Sequence, residues 1–200
     1  SIADRRGDEE RALRYYSRVA GGDYALPAQG RVARIKAGKA GLDAGLRHLE
    51  EYARGHPQVG PDVVGVKACL ATALEDPDQA MAILDAGLAQ YPDSLDLRMS
   101  RVFAYERRGD SDAAIRDLRQ LLRERPGDAT VQNALGYTLA DRDRSLDEAH
   151  VLVAAALAQT PDNAAVLDSM GWVLFRQGRL PEALEYLKRA NDLGDDAEID

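Results

Sequence analysis

The stretch "PDNAAVLDSMGWVLFRQGRLPEALEYLKRA", residues 161–190, carries two helical patterns back to back. In the first, Val166, Met170 and Val173 or Leu174 recur at helical spacing. Gly178 stands where a helix would end in a left-handed C′ residue. Pro181 then sits in the first turn of a second helix, whose Ala183, Leu184, Leu187 and Ala190 share one face. The same punctuation recurs upstream. Pro57, Pro92, Pro126 and Pro161 are spaced by 35, 34 and 35 residues, and Gly136 and Gly171 lie 35 apart. Ala80, Ala114, Ala149 and Ala183 keep nearly the same interval. A fixed period of this size marks stacked helix pairs, because one such pair cannot bury its apolar face alone.

The details inside each period agree with paired helices. Asp76 is placed to cap a helix opened by Pro77, and "SLDE", residues 145–148, reads as a capping box. Antiparallel helices nest only where one side chain is small. Gly136 and Gly171 on the first helices, and Ala149 and Ala183 on the second, supply that. Each proline closes a second helix before the next repeat begins. The repeats run 26–60, 61–94, 95–128, 129–163 and 164–197, after a leading half repeat within 1–25. One domain over 1–200 is therefore expected.

Composition points the same way. The chain is 45% hydrophobic but only 6% aromatic, and leucine and alanine dominate. Sparse β-branched and aromatic residues favour helix over sheet. The net charge of −8 shows no basic excess, so no nucleic-acid partner is expected. The lone Cys69 rules out a disulfide within the chain and a cysteine zinc site. It lies in "VVGVKACLATAL", residues 63–74, and a small buried thiol is expected there. No apolar run approaches the ~20 residues of a membrane span, so no transmembrane segment is expected.

No catalytic set emerges. His48, His56 and His150 fall in different repeats, and no HExxH is present. "RIKAGKAG", residues 34–41, lacks the glycine spacing and the hydroxyl residue of a phosphate loop. The acidic pairs Glu9–Glu10 and Asp195–Asp196 sit in polar runs, without the apolar walls that would separate two carboxylate pKa values. A noncatalytic protein with no cofactor and no metal is expected.

The pattern resembles the tetratricopeptide repeat, W-x2-L-G-x2-Y…A-x3-F…P over 34 residues. Leu135, Gly136, Leu139, Ala149, Ala156 and Pro161 match it in one repeat, and Met170, Gly171, Leu174, Ala183, Leu187 and Ala190 in the next. The repeat 95–128 keeps Tyr105, Gly109, Ala114, Leu118 and Pro126, with Val102 in place of the glycine. Earlier repeats are anchored by Ala68, Ala80, Leu84 and Pro92, and by Ala33, Leu49 and Pro57. The resemblance implies an all-α, right-handed superhelical solenoid of antiparallel helix pairs, about five repeats plus the leading half. "GDEERALRYYSRV", residues 7–19, reads as a second helix with Gly7, Ala12 and Tyr16 in register. "ANDLGDDAEID", residues 190–200, follows a second helix with no polar capping helix. The chain thus reads as a piece of a longer repeat protein, open to self-association through uncapped ends.

The resemblance also implies which face meets a partner, since first helices line the concave groove. Counting from Leu95, Ala129 and Ala164, the fifth, ninth and thirteenth places fall on one helix face. They read Met99, Phe103, Arg107; Asn133, Tyr137, Asp141; and Asp168, Trp172, Arg176. The ninth place is aromatic three times running. Rings flanked by amide, carboxylate and guanidinium groups suit a peptide or partner protein. The alternative is that the same rings fill the inside of the array, with Arg107, Asp141 and Arg176 pairing between neighbouring repeats. No lysine occupies these places, so the chaperone-tail carboxylate clamp is not expected.

Residues 133–190 also resemble the C-terminal repeats of a bacterial lipoprotein family, the outer-membrane-anchored adaptors that deliver substrates to a periplasmic carboxyl-terminal processing protease. That resemblance implies a scaffold for the protease, its substrates and cell-wall hydrolases at the periplasmic face of the outer membrane. The alternatives are a cytoplasmic peptide-binding module of the same repeat class, or a noncatalytic repeat region of a larger enzyme.

Overall fold

The computed structural model describes residues 9–19 and 21–197. Gly7 and residues 198–200 of the terminal motifs lie outside the described residues, as do the side chains of Asp195 and Asp196. Among the described residues there are eleven α-helices, one 3-10 turn at Pro57–Val59, and no strand. The first helices of the repeats are α2 (Ala25–Ala40), α4 (Gly60–Ala73), α6 (Leu95–Arg107), α8 (Ala129–Asp141) and α10 (Ala164–Arg176). The second helices are α1 (Glu9–Tyr16), α3 (Leu42–Gly55), α5 (Pro77–Gln90), α7 (Ser111–Glu124), α9 (Leu146–Gln159) and α11 (Leu180–Ala197). The fold is all-α, built of antiparallel helix pairs, as the period requires. Two compact units divide the chain, one ending at Arg108 and the other beginning at Gly109.

The period is written into the backbone. His56, Tyr91, Arg125 and Thr160 each end a second helix immediately before a proline, with φ between −129° and −139° and ψ between 65° and 68°. The proline ring forces its predecessor out of the α region at each of the four places. Two residues further on, a polar side chain opens the next first helix. Ser94 Oγ accepts from Leu97 N–H, Asp128 Oδ1 from Thr130 and Val131 N–H, and Asn163 Oδ1 from Ala165 and Val166 N–H. These caps satisfy N–H groups that the helix cannot.

The turns inside the last four repeats share a left-handed residue: Glu75 (φ 60°), Gly109 (76°), Asp143 (52°) and Gly178 (78°). Gly178 is the C′ residue the sequence calls for, and Arg179 N–H donates to the Leu174 carbonyl to close the motif. Asp76 and Asp110 cap the helices that follow. The capping box expected at residues 145–148 does not form. The α8–α9 turn holds Arg142, Asp143, Arg144 and Ser145, one residue more than the α4–α5 and α10–α11 turns. Ser145 is thereby left at φ 46°, and its hydroxyl makes no cap bond.

Each unit has its own core. In the first, Ala33, Ala37, Leu46, Leu49, Val63 and Leu70 cluster across α2, α3 and α4. Ala68, Leu84, Leu88 and Leu97 continue the packing across α4, α5 and α6. In the second, Leu135, Leu139, Val153, Ala156, Leu167 and Leu174 are buried. The small residues act where expected. A Cβ on Gly136 would lie 2.6 Å from Val153 Cγ2 and 2.9 Å from the Ala149 carbonyl oxygen. On Gly171 it would meet Leu187 Cγ at 2.6 Å and the Ala183 carbonyl oxygen at 3.2 Å. Helix axes this close admit no side chain at those points.

Candidate functional site

Burial on each first helix alternates with helical period. On α10, Val166, Leu167, Met170, Val173 and Leu174 point into the core, which leaves Asp168, Trp172 and Arg176 on the other face. The exposure of the ninth places follows from this. Phe103 is 56% and Tyr137 39% exposed, high for large rings in a helical core, and Trp172 is half-buried. Arg107 and Asp168 are exposed, while Asn133, Asp141 and Arg176 are partly buried. Met99 is buried at 7% exposure and lies beneath the face.

The second unit holds Asn133, Tyr137, Asp141, Asp168, Trp172 and Arg176 on α8 and α10. The Trp172 ring stacks on Phe175, with centroids 5.5 Å apart and planes at 22°. The Arg176 guanidinium carbon lies 5.4 Å from the Trp172 centroid, within cation–π range. That guanidinium also donates to the Asp141 carbonyl oxygen at 2.9 Å and pairs with the Asp143 carboxylate. Arg176 is thus tied to the preceding repeat through Asp143 and the Asp141 main chain. The Asp141 carboxylate instead meets Arg142 Nε at 3.4 Å. Two buried polar atoms, Asn133 Oδ1 and Trp172 Nε1, have no hydrogen-bond partner. One accepts and the other donates.

The first unit contributes Met99, Phe103 and Arg107 from α6, together with a neighbour the aromatic pattern conceals. Counting the repeat 61–94 in the same way, its ninth place is Cys69. The expected burial of this thiol is corrected, since Cys69 is exposed. A mostly apolar run hides which residue faces outward, whereas the repeat register identifies it. A cavity of about 230 Å³ opens beside Cys69, lined by Gly65, Leu84, Phe103 and Arg107 among others. In α2 the ninth place of the repeat 26–60 is Arg34, also exposed. Among the described residues no three His, Cys, Asp or Glu side chains gather as metal ligands. No helix among them is long and apolar enough to cross a membrane.

Tetratricopeptide repeat models match residues 71–137 and 142–198. A TPR repeat-containing protein of Pseudomonas aeruginosa is 35% identical over 200 residues. The match takes in 99% of this chain but 34% of that protein, so the chain spans about a third of the length of the curated relative. Among solved structures, MamA of Desulfovibrio magneticus RS-1 superposes with a TM-score of 0.60 at 19% identity, covering 88% of this chain and 97% of that one. YrrB, described as a TPR protein with an unusual peptide-binding site, gives 0.56 at 18% identity, covering 84% and 86%. At these identities the structural likeness speaks to the fold.

One expectation is overturned here. Solved structures similar in fold include MamA chains and YrrB. Placement at the periplasmic face of the outer membrane is therefore withdrawn: the likeness of residues 133–190 to lipoprotein repeats is a likeness of repeats and carries no address. With helix pairs, period and caps in agreement, and family models matching 71–137 and 142–198, the chain belongs to the tetratricopeptide repeat family, as a protein–protein interaction module.

Proposed function

We propose that the outward face of the first helices binds a peptide segment of a partner protein. The observation that carries this reading is the exposure of Phe103 and Tyr137 at the ninth place, continued by the half-buried Trp172. Large rings left in water while leucine and alanine fill the core are an interaction surface in waiting. Within the second unit, Asn133, Asp141 and Asp168 add polar groups that fix register, and within the first Arg107 does so beside Phe103. YrrB, similar in fold, is described as having a peptide-binding site. The test is binding of a peptide library by Trp172→Ala and Tyr137→Ala. Each substitution is expected to weaken recovered peptides by roughly tenfold or more, with helical circular dichroism retained. If both unfold the chain and no separable binding defect remains, the rings are core.

A narrower form of the reading makes the chain an adaptor for a carboxyl-terminal processing protease, its substrates and cell-wall hydrolases. It rests on the resemblance of residues 133–190 to such adaptors. Pull-down of the protease with the native chain but not with Trp172→Ala would support it, and pull-downs lacking any such protease would end it.

A further inference from the structure

The first unit offers a binding pocket whose chemistry can be stated. α4 carries Gly65 and Cys69 at its fifth and ninth places, where α6 carries Met99 and Phe103. Small side chains opposite a large one leave a gap, and the cavity of about 230 Å³ is that gap. Leu84, 1% exposed, forms part of its wall, and Phe103 stands at its edge. The volume is below the ~300–1,000 Å³ of sites for drug-sized ligands. It exceeds the ~150 Å³ in which an apolar cavity holds benzene. It therefore suits one bulky apolar side chain rather than a cofactor.

Two arginines stand by it. Arg107 lines the cavity and Arg34 holds the ninth place of α2, the first helix next to α4. The two helices pack closely enough that a Cβ on Gly30 of α2 would lie 3.2 Å from Val66 Cγ1 of α4. Both arginines are exposed, and neither has an ion pair among the described residues. Helix α2 carries Arg31, Arg34, Lys36 and Lys39 and no acidic residue, in a chain whose net charge is −8. On α4 beside it, the outward Gly65, Cys69 and Thr72 are uncharged, and the acidic Asp62 stands a turn earlier, in the helix's first turn. A cationic strip on an acidic protein marks where an anionic partner docks.

We propose that this face of the first unit binds an acidic peptide segment with one bulky apolar residue. That residue fills the Gly65–Cys69–Phe103 pocket, and flanking carboxylates meet Arg34 and Arg107. The inference rests on the reading that the first helices bind peptide, and it names the ligand class for one part of that surface. Because Cys69 is the only cysteine, its rate of maleimide alkylation reports on the pocket alone.

The probe is a short fluorescein-labelled peptide with a single phenylalanine between runs of aspartate and glutamate. Its controls are a lysine-flanked twin and a twin with alanine for phenylalanine. The acidic peptide is expected to slow Cys69 alkylation by roughly tenfold when saturating, and the twins to leave it unchanged. Arg34→Glu and Arg107→Glu should each weaken the acidic peptide about tenfold and favour the lysine twin. Gly65→Leu should abolish the protection while the chain stays folded. A Cβ there meets nothing nearer than Leu97 Cδ2 at 4.0 Å, and a mid-helix glycine is removed. Equal protection by the lysine twin, or affinity unchanged in Gly65→Leu, overturns the proposal. If a peptide binds and is lost in Trp172→Ala while Cys69 stays fully reactive, this proposal falls and the wider peptide-binding reading stands. If neither these peptides nor a library binds, both fall.

Discussion

Trp172 shows how one side chain can serve two ends. Its ring is held between Phe175 and Arg176, yet its Nε1–H is buried without an acceptor. A buried unsatisfied donor costs about 1–3 kcal/mol. Trp172→Phe keeps an aromatic ring and removes the donor. The substitution is expected to leave the melting temperature unchanged or raise it, because the buried donor is removed, while peptide affinity falls because the smaller ring offers a ligand less surface. A clear drop in melting temperature, beyond what the smaller ring explains, would mean that the N–H finds a protein acceptor in solution. The sequence alone carries Trp172 as far as the ninth place of its repeat, since helical spacing fixes which residues share a face. It does not disclose that Arg176 is engaged by Asp143. That contact is made by a residue of the α8–α9 turn, and periodicity places only the helical side chains.

At the scale of the helix pair, the spacing between axes is set by glycine and alanine, and the two close approaches differ in what a methyl would strike. On Gly136 it would press on Val153 and on the Ala149 carbonyl oxygen at 2.9 Å, and main chain cannot turn aside. On Gly171 the nearest atoms belong to the Leu187 side chain, and the Ala183 oxygen is farther, at 3.2 Å. Overpacking costs about 1–3 kcal/mol, against a gain of at most about 1 kcal/mol from replacing glycine within a helix. Gly136→Ala is therefore expected to destabilise by about 1–2 kcal/mol, and Gly171→Ala by distinctly less, as read from chemical denaturation. Equal losses would show that α9 moves as easily as the Leu187 side chain. These positions were legible in advance because proline, glycine and alanine recur with the period. Cys69 was not, since in residues 63–74 the polar Lys67 and Thr72 do not by themselves mark one outward side. The missing cap at Ser145 was hidden for a different reason. A four-residue sequence match cannot report the backbone angle at which the turn delivers its hydroxyl.

For the molecule as a whole, a repeat array couples each repeat mainly to its neighbours, so a local perturbation should stay local. His48 provides the test. Its Nε2–H donates to Gln29 Oε1 at 2.8 Å, and its Nδ1 accepts from Lys36 Nζ at 3.1 Å, an arrangement open only to the neutral ring. Gln29 in turn donates to the Val19 carbonyl oxygen, joining the chain beyond α1 to α2 and α3. Burial lowers the His48 pKa below its ordinary 6.5, the Lys36 ammonium lowers it further, and Glu51 opposes both. With the folded value depressed, the unfolded chain takes up the proton first. The network's stabilisation is thus fully present above about pH 6.5 and is lost as pH falls from there toward the folded value. Hydrogen exchange, corrected for the intrinsic pH dependence, is expected to accelerate in α1, α2 and α3 between pH 7.5 and 5.5. The helices α8 to α11 should keep their protection across the same range. In His48→Gln the first group should exchange alike at both pH values. Uniform loss of protection across the chain would show that the repeats unfold as one cooperative block, and would transfer the acid sensitivity from His48 to the carboxylates at large.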